Sequence, residues 1–117
     1  MIGPVAITAA TINTGKVVGP FEAKDLKVDG ELTVVGPVNC NDCKFTSPIE
    51  IVSKKSVFED SELHKIVIRK DGDKKKQYLY LKGKTVVHGD IIFEYADAEV
   101  VVDKEAKVEG KIIKSGL

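Results

Sequence analysis

One feature constrains this chain more than any other: it repeats itself. The stretch from Val17, VVGPFEAKDLKVDGELTV, lies on the stretch from Val34, VVGPVNCNDCKFTSPIEI, without a gap. Gly19 meets Gly36, Pro20 meets Pro37, Phe21 meets Val38, Asp25 meets Asp42 and Lys27 meets Lys44, all at an offset of 17. A third copy opens the chain, where Gly3, Pro4 and Val5 repeat Gly19, Pro20 and Phe21 at an offset of 16. A fixed period in this range marks a solenoid, in which each repeat buries its apolar face against the next.

The spacing inside the repeat says what each unit folds into. Its apolar positions are Phe21, Ala23, Leu26, Val28, Leu32 and Val34, and Val38 begins the next copy. A step of two keeps a strand's side chains on one face. The longer steps fall at Lys24-Asp25, at Asp29-Gly30-Glu31 and at Val35-Gly36-Pro37, where turn-forming residues sit. The next copy repeats the rhythm with Val38, Cys40, Cys43, Phe45, Ile49 and Ile51. Each repeat therefore reads as three short strands around a triangle, and stacked triangles make a parallel β-helix. The i, i+3, i+4, i+7 spacing of an amphipathic helix is absent. A left-handed hexapeptide solenoid would need a rung divisible by six. A β-sandwich has short strands too, but no reason to repeat Gly-Pro-(Val/Phe) in register. Composition agrees: 16 Val and 11 Ile stand against 6 Leu and 7 Ala, a balance that favours pleated sheet over helix.

Beyond Val52 the rhythm continues through Phe58, Ser61, Leu63, Ile66 and Ile68 with one slipped corner. Then comes RKDGDKKKQ, Arg69 to Gln77, between KIVI and YLYL. It reads as a hairpin or protruding loop inserted at a corner. Rungs resume at Val87-His88-Gly89-Asp90-Ile91 and Val108-Glu109-Gly110-Lys111-Ile112, where Gly precedes an inward Ile by two, as Gly36 precedes Val38. The glycines Gly89 and Gly110 are 21 apart, which implies a bulged corner near Tyr95 to Glu99. The expectation is an all-β chain, residues 1–117 forming a single β-helical domain of about five to six rungs.

The motif V-x-G-x-(I/V/F) recurs at Val17 to Phe21, Val34 to Val38, Val87 to Ile91 and Val108 to Ile112. With the phrase AEVVVDKEAKVEGKI, Ala98 to Ile112, it resembles the bactofilins, bacterial polymer-forming cytoskeletal proteins. The resemblance implies a right-handed β-helical core and assembly without nucleotide. It also implies a cytoplasmic location at the inner face of the membrane, admitting peripheral contact there, and a role in placing cell-shape or cell-envelope proteins.

Charge and composition narrow the alternatives. The 18 basic and 18 acidic side chains cancel, so no nucleic-acid partner is expected, because a broad grip on phosphate needs a basic surplus. No apolar run reaches the ~20 residues of a membrane span. The first fifteen residues carry no charge, so the basic leader of a secretory signal is not seen. Together with only two cysteines, close in sequence, this makes the cytoplasm the expected compartment.

Several residues invite chemistry. Cys40-Asn-Asp-Cys43 is a C-x-x-C, suited to a redox pair or half a zinc site. Both cysteines also fall on the inward positions of Ala23 and Leu26, where a thiol is a small core filler; no metal or other cofactor is expected. Alternation turns His88 outward, at the place of Val18, Val35 and Glu109 in the other motif copies, and His64 is likewise outward. Asp25, Asp42, Asp60 and Asp90 read as solvated turn residues, with a cation-binding corner ladder as the sharper alternative. Arg69, Lys70, Lys74, Lys75 and Lys76, followed by Tyr78 and Tyr80, form the one basic cluster, a candidate partner-binding loop for nucleic acid, anionic lipid or glycan. Such Lys-rich tips also serve as solvated gatekeepers.

The leading functional reading is structural and non-enzymatic. A β-helix ends in strands with unpaired backbone edges, and no capping helix is written at either end. Self-assembly would run through Val5, Ile7 and Ile12 at one end and Val108 and Ile112 at the other. The competing readings are a small metal or redox protein using Cys40 and Cys43, and a monomeric binding module acting through the basic loop.

Overall fold

The computed structural model describes residues 5–13, 15–69, 76–94 and 97–114, and among them every regular element is a strand. In chain order they are β1 (Val5–Ile12) and β2 (Gly15–Val18), then β3 (Phe21–Val28) and β4 (Leu32–Val35). The third rung holds β5 (Val38–Asn41), β6 (Lys44–Phe45) and β7 (Ile49–Val52). The fourth holds β8 (Lys55–Glu59), β9 (Glu62–Leu63) and β10 (Ile66–Arg69). The fifth holds β11 (Gln77–Lys82), β12 (Val86–Val87) and β13 (Ile91–Phe93), and the sixth β14 (Ala98–Val102), β15 (Lys107–Val108) and β16 (Ile112–Lys114). All pairings are parallel and join one rung to the next, so the chain is a β-solenoid of about five turns with three stacks of strands. The third stack, β2-β4-β7-β10-β13-β16, is a sheet of its own. The first and second share a sheet, because β1 and β3 run through the corner between them without a break.

Register follows the repeat. Phe21 lies on Val38, Val28 on Phe45 and Leu32 on Ile49, while Val5 lies on Phe21 and Ile12 on Val28 at the shorter offset. Like side chains therefore stack into ladders. Leu32, Ile49, Ile66, Ile91 and Ile112 form one, and Val17, Val34, Ile51, Ile68 and Phe93 another. Leu32 to Ile91 in the first and the whole of the second are buried, each side chain contributing roughly 1.5–3 kcal/mol by leaving water. Phe45 and Phe58 meet edge to face, ring centroids 6.0 Å apart, and fill the middle of the tube.

Three readings need correction. KIVI and YLYL do not form a hairpin. β10 lies between β7 and β13, and β11 lies between β8 and β14. Ile66, Ile68, Leu79 and Leu81 are all sealed inside on different faces, and pairing β10 with β11 would expose them. β10 and β11 belong to different stacks on either side of one corner. The insertion is also shorter than Arg69 to Gln77, since Arg69 ends β10 and Gln77 begins β11. Lys70, Lys74 and Lys75, like Gly3, Pro4 and Tyr95, lie outside the described residues.

The second correction concerns the motif. Val17–Phe21 and Val34–Val38 turn from the third stack to the first, whereas Val87–Ile91 and Val108–Ile112 turn from the second to the third. Val-x-Gly-x-apolar describes any tight corner with an inward residue on each side, so four copies of it mark two different corners. The true counterparts of His88 are His64 and Glu109, not Val18 and Val35. Backbone pairing shows this, with the His88 amide donating to the Leu63 carbonyl and the Glu109 amide to the Val87 carbonyl.

The third concerns the acidic residues. Asp25, Asp42 and Asp60 do stack, at the corner between the first and second stacks, with φ of 54°, 55° and 49°. A short carboxylate side chain tolerates this left-handed backbone better than most. Asp90 sits at another corner, and the fourth step of the column is Gly83, φ 61°. A Cβ on Gly83 would lie 2.3 Å from Asp60 Oδ1, the oxygen that accepts the Lys84 amide at 2.9 Å. Among the described residues no group of three or more His, Cys, Asp or Glu is placed to hold a metal ion.

Candidate functional site

The feature with functional consequence is where the stacks stop. Among the described residues, β14, β15 and β16 each pair on one side only, as do β1 and β2 at the other end. The apolar ladders stop with them. Ile66 and Ile91 are 0% exposed, and the next member, Ile112, is 44% exposed. Leu81 is sealed, yet Val102 above it is 42% exposed. Val100, Ala106 and Val108 complete this floor, half-buried against the core. The last rung thus presents open backbone edges around an apolar surface. Lys107, Glu109 and Lys111 rim it, and Lys114 stands at the inward position over Phe93.

The first rung differs in shape. Ile7 and Ile12 pack on the core and are half-buried. With Val17 and Leu32 they line a recess of about 240 Å³. Val5 pairs with Phe21 through the backbone, while its side chain lies outside the described residues. The structure so places Ile7 and Ile12 at one end and Val108 and Ile112 at the other.

The remaining candidates resolve separately. Cys40 and Cys43 are buried free thiols. Hydrogen bonding with the Cys43 sulfur, then burial, holds the Cys40 pKa well above the thiol range, while the same hydrogen bonding lowers that of Cys43 against the opposing effect of burial. The Cys43 sulfur also lies 3.4 Å from the Asn41 carbonyl, and its amide donates to Ser61 Oγ at 3.2 Å. Ser61 and Thr85 follow Cys43 up the corner, with the Ser61 amide donating to Thr85 Oγ1 at 3.3 Å and the Thr85 hydroxyl to the Lys82 carbonyl at 2.7 Å. This inward corner position accepts small polar groups because the turn beside it supplies partners.

No family model, curated protein or solved structure matches the chain.

The basic loop is less cationic at its described ends than the sequence suggests. Arg69 Nε meets Glu50 Oε1 at 2.5 Å, and its Nη1 meets Glu94 Oε2 at 3.4 Å. Lys76 meets Glu99 at 3.4 Å. Gln77, buried, clasps the base of the loop: its Nε2 donates to the Arg69 carbonyl at 2.7 Å and to the Ser53 carbonyl at 3.0 Å.

One constellation escaped sequence reasoning. His88 Nε2 lies 2.9 Å from Glu62 Oε1, and its Nδ1 meets Glu109 Oε1, so one imidazole bridges the fourth, fifth and sixth rungs. The Glu109 bond, then the Glu62 bond, raises its pKa. The partners are 26 and 21 residues away, and no constant period connects them. The surroundings of Tyr80 were missed in the same way. Lys82 was open to reading, since K-x-Y-x-Y-x-K from Lys76 alternates outward, but Lys55 comes from another rung.

Proposed function

We propose that this chain is a non-enzymatic structural protein that assembles end to end through its terminal turns. The observation that carries the reading is the break at Ile112: a ladder sealed up to Ile91 continues into a residue that is 44% exposed, beside strands with open edges. Another strand would satisfy such an edge while covering the apolar floor, and another copy of the chain offers both. Outward strand positions mix Lys, Glu and Thr with apolar residues such as Val18 and Ile113, and between the end rungs the strands are already paired on both sides, so open strand edges are offered at the ends. With the resemblance to bactofilins, this makes the chain a cytoplasmic scaffold, at the inner face of the membrane, for cell-shape or cell-envelope machinery.

Negative-stain microscopy with light scattering of the purified protein tests the reading. Filaments or a rising mass with concentration are expected. A monomer at every concentration overturns it.

A further inference from the structure

The outer face of β11 carries Tyr78, Tyr80 and Lys82 at successive outward positions, with Lys76 just before the strand. The Tyr78 and Tyr80 rings stand side by side, centroids 6.1 Å apart and planes within 16°. Lys76 Nζ sits 5.6 Å from the Tyr78 centroid. Two ammoniums address Tyr80: Lys55, from the rung below, at 5.6 Å and Lys82 at 5.9 Å. Val57 and Val101 pair with Tyr80 on either side, Val101 being 38% exposed, so the ring stands in an apolar strip across three rungs.

The two tyrosines differ in one respect. At Tyr78 the ammonium has a carboxylate, Glu99, at 3.4 Å from Lys76. At Tyr80 there are two ammoniums, and among the described residues neither forms an ion pair. The Lys76–Glu99 pair shows how this row seats a carboxylate; beside Tyr80 the two cations have no carboxylate within ion-pair distance among the described residues, although Glu59 and Asp103 flank Lys82 in register.

We propose that this face docks an extended acidic peptide segment of a partner protein, with a carboxylate seated between Lys55 and Lys82 and apolar or aliphatic stems lying over Tyr80, Val57 and Val101. An extended peptide repeats its side chains every ~6.8 Å, the spacing of the outward residues on β11, so alternate residues fall in step with the row. Charge complementarity supplies orientation and a faster encounter. The acids at the margins, Glu59 beside Lys82 and Glu99 beside Tyr78, oppose a uniformly charged polyanion such as single-stranded nucleic acid and tolerate a peptide whose carboxylates are spaced. The inference goes beyond assembly: it gives the scaffold a side face for a client while its ends remain for copies of itself.

The test uses the full chain and a fluorescein-labelled synthetic peptide with Glu at every fourth position among Thr and Val, followed by anisotropy at low salt. Binding is expected to weaken as salt rises. Lys55→Gln with Lys82→Gln should weaken it at least tenfold. Glu99→Gln should strengthen it severalfold by releasing Lys76. Thermal melting of each variant confirms the fold, and the double Lys variant should still form filaments, which separates failure here from failure of the assembly reading. No binding by the wild-type chain, unchanged binding in the double variant, or tighter binding of an oligothymidylate than of the peptide overturns the proposal.

Discussion

Ile91 lies on Ile112 in the register of β13 and β16, yet the first is sealed from water and the second is 44% exposed. The two residues occupy the same position in consecutive rungs. What separates them is a neighbour: among the described residues Ile91 has a strand on both sides and Ile112 on one.

That difference makes the ends sensitive to charge. Ile7→Lys at the first rung, or Val108→Lys at the last, places an ammonium in the apolar surface of a junction. Burying an unpaired charge costs several kcal/mol, more than a small end contact offsets. The double variant should be monomeric by light scattering and still β-rich by circular dichroism. Each single variant should stop at dimers if junctions join like ends, and at monomers if they join unlike ends. Filaments in the double variant would move the interface elsewhere.

Cys43→Ala should cost roughly 1 kcal/mol in urea unfolding, a modest large-to-small loss, and leave assembly intact. The thiol packs inside and its contacts are local, so nothing beyond the corner depends on it. Elemental analysis of protein purified without chelator should give no stoichiometric zinc, and finding it would assign the pair to metal binding.

Replacing residues 70–75 with a short Gly-containing turn should leave the thermal midpoint within a few degrees, because loop length costs little. Gln77 must be kept. Gln77→Leu leaves the Arg69 and Ser53 carbonyls without their donor inside the corner, at a cost of about 1–3 kcal/mol. If both changes prove equally mild, Gln77 is not the clasp of the loop.

His88 should tie stability to pH. Its neighbours across the rungs are Glu62 and His64 on the β9 side and Lys107 and Glu109 on the β15 side, and both of its nitrogens meet carboxylates. Its folded pKa is raised, by Glu109 first and Glu62 second. The stabilisation is therefore complete below the unfolded value of about 6.5 and is lost as pH rises through the folded pKa above it. The gap in thermal midpoint between wild type and His88→Gln should be widest near pH 6 and narrow as pH rises through the raised folded pKa. The His88 resonance should titrate above the ordinary imidazole range, and lower in Glu109→Gln. A gap that widens with pH would contradict the bridge.

Gly36→Ala, whose methyl would run into the Gly19 backbone carbonyl at φ 142°, should cost more than Gly83→Ala. Gly83 itself has φ 61°, and a methyl there meets Asp60 Oδ1 at 2.3 Å. The cost should reach about 1–3 kcal/mol by denaturant unfolding, and Asp60→Ala should relieve part of it by removing the obstructing carboxylate. Equal losses in the single and double variants would show that φ alone sets the cost.

The sequence by itself determined which residues lie on which through the first three rungs. Parallel in-register stacking turns sequence period directly into spatial neighbours, so an offset of 17 already places Val28 on Phe45 and Leu32 on Ile49. It also determined the inward set, Cys40 and Cys43 included, because alternation along a strand does not depend on what lies above. Only the tertiary structure decided the rest. Once the offset drifts, to 18 between Val38 and Ser56, 23 between Phe58 and Leu81 and 21 between Leu79 and Val100, outward neighbours no longer share a period. Glu62, His88 and Glu109 then meet, and Lys55 reaches Tyr80, at separations no repeat encodes. The corner on which a Val-x-Gly-x-Ile falls was decided there too, since local spacing is the same at two vertices of the triangle. So was the sealing of Ile91 and the opening of Ile112, because burial belongs to what stacks on a residue and not to the residue itself.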